Sequence, residues 1–193
     1  MDKIIIIAIY GPAGSGKDYL LRSLKDLNKD IFHPIVNETT RPMRENEVEG
    51  VDYHFLSAQD FACKVFSGEM LQAKSFNGWY YGTSFASLDE NKINIGIFSP
   101  EAIEAICLNS RCKVYAVRIM ADDKVRMLRQ LSREENPDID EIVRRWTTDR
   151  QDFADGIECP NVIYYYNGYE GITEEVSVLY ERLEELFDFG QFC

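Results

Sequence analysis

The amino-acid sequence predicts an α/β fold with a central parallel sheet and helices on both faces, and three observations predict it. Residues 4–9, Ile4-Ile5-Ile6-Ile7-Ala8-Ile9, are a near-continuous β-branched run, the mark of a strand buried on both faces. The run feeds directly into Gly11-Pro12-Ala13-Gly14-Ser15-Gly16-Lys17, and a helical stripe at Tyr19, Leu20, Leu21 and Leu24 follows. Strand-like and helix-like segments then alternate along the chain, whose 193 residues suit one domain with a substantial core.

The spacing from Gly11 to Gly16-Lys17 fits the P-loop, in which backbone N–H groups wrap a phosphate at a helix N-terminus and the lysine reaches the β/γ-phosphates. Larger side chains at the glycines would block that approach. Asp18 stands where a Ser or Thr hydroxyl normally meets Mg²⁺. A carboxylate there either holds the metal through water or repels the phosphates, and the sequence leaves both open.

The formal net charge of -12 argues against non-specific nucleic-acid binding, which requires a basic field. An anionic ligand must then meet clustered cations, and the Lys and Arg residues do cluster: Arg41 and Arg44, then Arg126, Arg129 and Arg133, then Arg144, Arg145 and Arg150. Residues 4–9 are too short to cross a bilayer and lack a cationic flank and cleavage site, so neither a membrane segment nor a signal peptide is expected. Five scattered cysteines with no C-x-x-C pattern fit reduced thiols in a cytoplasm.

In chain order, the first helix ends near Asn28 and a second strand spans residues 32–36. A polar stretch follows, in which Arg41 and Arg44 flank Pro42 and can converge on one anion. A helix is expected over 57–66 with Phe61, Val65 and Phe66 inward. Strands at 70–76 and 79–81, joined by the hairpin dipeptide Asn77-Gly78, form with 53–55 a small antiparallel lobe. The main pattern resumes with a helix over 84–90, a strand over 93–98, a helix over 100–107 and a strand over 113–119. A helix over 122–133 is expected to turn Val125, Leu128 and Leu131 inward and its arginines outward. A polar lid at 134–138 is broken by Pro137, and a helix over 139–153, a strand over 161–166 and an amphipathic helix over 172–187 close the fold. The single domain thus divides into a core (1–36, 84–133 and 139–193), a lobe (37–83) and the lid. The apolar tail at 189–193 is a candidate docking segment.

With the P-loop and Thr39-Thr40-Arg41-Pro42-x-Arg44 to Asp52-Tyr53-His54-Phe55 both in hand, the chain resembles the guanylate kinase family. Asn77-Gly78-Trp79-Tyr80-Tyr81-Gly82-Thr83 resembles that family's G-x-Y-Y-G-(S/T) segment, and the likeness runs from residue 4 to 166. It implies the P-loop NTPase three-layer fold with an inserted nucleoside monophosphate lobe, and a cytoplasmic enzyme, monomer or homodimer, acting on ATP and a monophosphate with Mg²⁺. It implies that Gly11, Pro12, Ala13, Gly14, Ser15, Gly16, Lys17 and Asp18 hold ATP with Arg129 and Arg133, Asp18 also meeting the metal. It assigns Arg41, Arg44, Tyr53, Tyr81, Thr83 and Arg145 to the acceptor, and Lys17, Arg133 and Arg145 to catalysis as charge-neutralising groups. Arg126 and Arg144 read as solvated helix-face residues, but placing Arg145 on the family position requires one inserted lid residue, so Arg144 is a rival.

The base-reading positions depart from the family. A family glutamate that accepts from guanine N1–H and the 2-amino group corresponds to Gln72, a family aspartate to Asn94, a second acidic position to Gly96 and a base-touching serine to Asn37. A carboxylate only accepts, whereas an amide donates and accepts, so the base is open between guanine and another purine. Three readings follow: a kinase of GMP or dGMP; the same transfer to another or modified nucleotide, or to a sugar phosphate; and a peptide-binding guanylate kinase-like module. The last predicts a degraded P-loop, and this loop is intact.

Overall fold

A computed structural model describes residues 3–45, 47–133 and 135–187. The 189–193 tail lies outside the described residues, as do Asn46 and, within the lid, Glu134. The core is a six-stranded sheet of β1 (Ile4–Tyr10), β2 (Phe32–Pro34), β7 (Ile93–Ile97), β8 (Cys112–Met120), β9 (Val162–Tyr169) and β10 (Ile172–Thr173), ordered β10-β9-β8-β1-β7-β2. Every pairing is parallel except β10 with β9.

The isoleucine run works as a strand because both its faces are covered. Ile7 and Ile9 pack with Leu20 and Leu24 of α1 (Lys17–Leu27) and Leu179 and Leu183 of α6 (Val176–Leu186). Ile4, Ile6 and Ala8 face the other way, with Ile103 and Ile106 of α3 (Pro100–Cys107). Period-two alternation therefore feeds two hydrophobic layers. The glycine loop leaves β1 where the chain's neighbours diverge to β7 on one side and β8 on the other, a crevice at the strand ends where α/β sheets bind ligands.

The lobe is a four-stranded sheet, β4-β3-β6-β5, of β3 (Glu38–Thr39), β4 (His54–Phe55), β5 (Met70–Phe76) and β6 (Trp79–Ser84), backed by α2 (Ala58–Phe66). It is mixed rather than antiparallel, because β3 and β4 pair in parallel. Only Phe61 of α2 is buried; Val65 is exposed and Phe66 is 91% exposed, since a four-stranded lobe offers one narrow face to cover.

Two further differences concern local geometry. Residues 85–87 form a single 3₁₀ turn, not a helix over 84–90, because Ser84 is still paired in β6. The last helix starts at Val176: residues 172–173 instead return as β10 after the two-residue turn Glu170-Gly171, both at positive φ (49° and 78°). On α4 (Asp123–Leu131), Leu128 and Leu131 are exposed and Arg126 is the buried residue, at 4% exposure. The expected face is turned because Arg126 finds a carboxylate on α5 (Ile139–Asp152).

Candidate active site

The loop between β1 and α1 is shaped to take an anion. Gly16 starts α1 at φ 102° and has no side chain with which to cap the first turn, so the helix N-terminus offers its leading N–H groups and its positive dipole end. The glycines are required from beneath. A Cβ on Gly14 would lie 2.6 Å from the Arg126 carbonyl oxygen, and one on Gly16 would lie 2.5 Å from Asn167 Nδ2. Lys17 folds back over the loop, its Nζ donating to the Gly11 and Pro12 carbonyls at 2.8 and 3.1 Å. Burial lowers its pKa, and Asp149 and Asp18 oppose that shift.

A cleft of about 480 Å³ opens on the loop, and Lys17, Asp18, Arg22, Arg129, Arg133 and Arg145 line it. Arg129 is also a brace: it reaches the Asn167 backbone and side-chain oxygens at 3.2 and 3.0 Å, while Asn167 Nδ2 donates to the Ser15 carbonyl at 2.8 Å. Asp18 is exposed in the first turn of α1, and the cleft also carries the carboxylates of Asp138 and Glu141. Glu141 is taken by Arg144 and Arg145 and Asp138 caps α5, so of these three carboxylates Asp18 is the one whose chemistry fits a Mg²⁺ held mainly by phosphates and water.

A second cleft, of about 350 Å³, is lined by Arg41, Arg44, Trp79, Tyr81, Arg144 and Arg145 among others. Arg41 is held as a fork: NH1 and NH2 donate to the two Glu47 oxygens at 2.9 and 2.7 Å, and Glu47 also accepts the Arg44 N–H at 2.8 Å. The Arg41 bond holds the Glu47 carboxyl below its ordinary pKa. Arg41 lies over the Tyr53 ring at 5.6 Å, and Tyr53 meets Tyr81 edge-on at 6.1 Å. Burial raises the Tyr53 pKa, so its hydroxyl stays a donor.

The two clefts share Glu141 and Arg145. Arg144 lines only the second, so the geometry favours Arg145 over its neighbour as the residue between them. Glu141 accepts from Arg144 at 2.6 and 2.9 Å and from Arg145 at 2.7 Å, and these bonds lower its pKa to about 2.

The base-reading candidates separate. Gln72 Nε2 donates to Thr83 Oγ1 at 3.0 Å, Thr83 donates to Asn37 Oδ1 at 2.6 Å, and Asn37 Nδ2 reaches the Ile97 carbonyl at 3.5 Å. Asn94 is not with them. It is wholly buried near the start of β7, accepting the Asp89 N–H and donating to the Ile5, Asp89 and Lys92 carbonyls, so it closes a turn toward the N-terminal end of the strands, the other end from the glycine loop. Gly96 packs under Phe98, where a Cβ would lie 2.8 Å from its ring.

Sequence reasoning missed Asn167, Asp149 and the buried role of Arg126. Asp149 Oδ2 accepts from Ala13 N at 2.7 Å and from Arg126 NH2 at 2.8 Å, and Arg126 Nε donates to the Ala13 carbonyl at 3.0 Å. The available signal was spacing: Asp149 lies one helical turn beyond Arg145.

A parallel sheet whose first strand runs through a glycine loop into a helix N-terminus, with converging arginines above it, defines a P-loop nucleotide-binding protein. The family described as Guanylate kinase matches residues 2–176, and the chain belongs to that family. A guanylate kinase of Chlamydia felis (strain Fe/C-56) is 35% identical over 130 residues, covering 65% of this chain and 63% of that protein. One from Streptococcus pneumoniae (strain ATCC BAA-255 / R6) is 26% identical over 200 residues, covering 100% of this chain and 90% of its own length. At the higher identities the chain spans less than two thirds of its relatives' length. The crystal structure of guanylate kinase from Anaplasma phagocytophilum shares the fold at a TM-score of 0.61 and 19% identity, covering 100% of this chain and 89% of that one. Among the described residues no helix is long and apolar enough to cross a membrane.

Proposed function

We propose that this chain transfers the γ-phosphoryl group of ATP to a nucleoside monophosphate, with GMP or dGMP as acceptor. The observation that carries the reading is that Arg145 lines both the loop cleft and the arginine–tyrosine cleft. Phosphoryl transfer is catalysed almost wholly by alignment and charge neutralisation, and a guanidinium at the junction of two phosphate-binding clefts supplies both.

In this reading Lys17 leaves the Gly11 and Pro12 carbonyls for the donor phosphates, and the loop N–H groups hold the oxygens beside it. Arg41, set by Glu47, joins Arg44, Tyr53 and Tyr81 around the acceptor phosphate. Arg133 neutralises charge from the loop cleft and Arg145 from between the clefts. Asp18 would hold Mg²⁺ by its carboxylate, and the ion would supply charge neutralisation at the donor phosphates. Closure of the lobe and lid excludes water, the competing acceptor.

The amide relay supports an oxopurine. The Ile97 carbonyl only accepts, so Asn37 turns Nδ2 toward it and Oδ1 toward Thr83. The single Thr83 proton then goes to Asn37, and Gln72 must offer Nε2, so in this reading Oε1 is the atom it presents to a base, as an acceptor. An acceptor suits the N1–H of guanine or hypoxanthine and opposes the bare N1 of adenine. With one oxygen where a carboxylate has two, it reads the guanine 2-amino group weakly.

The test is ADP release from ATP and Mg²⁺ against a panel of ribo- and deoxynucleoside monophosphates and sugar phosphates, with Asp18→Ser beside the parent. Turnover with GMP or dGMP supports the reading. Turnover confined to another acceptor transfers the reaction to that substrate, and no turnover while ATP still binds overturns the enzyme reading.

A further inference from the structure

We propose that Arg126 and Asp149 are a positioning pair, locking the Ala13 peptide of the phosphate loop to helix α5 and so fixing where Arg145 stands relative to that loop. The inference rests on the phosphoryl-transfer reading above.

The Ala13 peptide is gripped on both of its polar groups. Its N–H donates to Asp149 Oδ2 at 2.7 Å and its carbonyl accepts from Arg126 Nε at 3.0 Å. Arg126 NH2 donates to the same Asp149 oxygen at 2.8 Å, closing a ring of three hydrogen bonds, and NH1 is taken by Asp123 at 2.8 Å. Both side chains are largely withdrawn from solvent, at 5% and 14% exposure. Bonds between charged groups in such surroundings are strong and directional.

Glu141, Arg145 and Asp149 recur every fourth residue of α5 and so share one face of it. Asp149 is bonded to the loop, and Arg145 stands one turn nearer the lid, at the junction of the clefts. The backbone of α5 between them is regular helix, which transmits position without slack. The helix cannot shift along the loop without breaking the Ala13 bonds, so the lid end of α5 moves about a point fixed at Asp149. A misplacement of about 1 Å in a neutralising guanidinium lowers turnover by roughly a hundredfold without loss of ground-state binding.

The experiment compares the parent, Asp149→Asn, and the paired apolar replacement Arg126→Met with Asp149→Leu. Kinetics, ATP affinity, melting temperature and hydrogen exchange of the Ala13 amide are read on each. Asp149→Asn is expected to lower kcat about 30- to 100-fold, with ATP Kd changed by less than about threefold, and to speed Ala13 exchange. The apolar pair is expected to keep or restore the melting temperature, because buried ion pairs are replaceable for stability, while kcat stays low. An apolar pair that recovers both stability and kcat makes the role merely structural and overturns the proposal. So does an Asp149→Asn variant with parental kcat. If the parent moves no phosphoryl group to any acceptor, the functional reading fails on its own. The clamp is then decided by Ala13 exchange, and an unchanged rate in Asp149→Asn overturns it.

Discussion

Arg145 Nε donates to Glu141 Oε1 at 2.7 Å, one turn earlier on α5, so the guanidinium at the junction of the two clefts is already paired with an internal carboxylate. A phosphate reaching Arg145 has to compete with the Glu141 carboxylate, which lines the same cleft. Glu141→Gln is therefore expected to lower the ATP Kd about three- to tenfold, an effect that shrinks as salt is raised, measured by titration calorimetry at two ionic strengths. The carboxyl is held down to about pH 2 by Arg144 and Arg145, so it stays charged throughout the working range. The ratio of variant to parent affinity is thus expected to be flat from about pH 6 to about pH 9, and a slope there assigns the effect to another group.

Glu47 sets both arginines of the second cleft at once, by a two-point bond to Arg41 and by accepting the Arg44 N–H. Glu47→Gln is expected to raise the monophosphate KM about tenfold while the ATP Kd stays within about twofold. Arg44→Ala is expected to raise the same KM and also to lower kcat, because a misplaced acceptor loses alignment as well as binding. Initial-rate kinetics with each substrate varied in turn separates the two; unchanged kinetics removes Arg44 from the site.

The relay gives a prediction about the base. Gln72→Glu places a second acceptor where Nε2 now donates to Thr83, and the Thr83 proton can turn to it. The parent is expected to use GMP and IMP within about tenfold of one another, and the variant to favour GMP by about a further tenfold, both read as kcat/KM ratios. A variant with the parental ratio takes Gln72 away from the base.

Much of this was legible because it is local. A buried strand, a glycine loop and a helix stripe lie within 21 residues, from Ile4 to Leu24, and the chemistry that needs glycine there is a property of the segment itself. The Asn77-Gly78 hairpin was legible for the same reason, its residues sitting at φ 49° and 79° as the dipeptide demands. The Glu170-Gly171 hairpin was not: glutamate rarely takes a left-handed conformation, and β10 is too short to show alternation. The Arg126–Asp149 pair was hidden because each residue lies on a polar helix face, and only the tertiary crossing of α4 and α5 brings them together across 23 positions. Asn94 was misplaced by correspondence: a strand position matched to a base reader proves to be spent on backbone carbonyls.

The two inner glycines of the loop should fail differently. Both Gly14 and Gly16 have positive φ, at 76° and 102°, which costs any other residue about 1–2 kcal/mol. At Gly14 the added Cβ meets a backbone oxygen, that of Arg126 at 2.6 Å, which moves only if α4 moves. At Gly16 it meets the end of the Asn167 side chain at 2.5 Å, which can give way by loosening its bonds to Ser15 and Arg129 without moving a helix. Gly14→Ala is therefore expected to destabilise by about 3–4 kcal/mol and Gly16→Ala by about 1–3 kcal/mol, read from denaturant midpoints. Adding Asn167→Ala should recover about 1 kcal/mol of the Gly16→Ala loss and none of the Gly14→Ala loss, since only the first shares its clash with that side chain. Equal recovery in both backgrounds would show that the Asn167→Ala effect is independent of the clash at Gly16, and would overturn the contact argument.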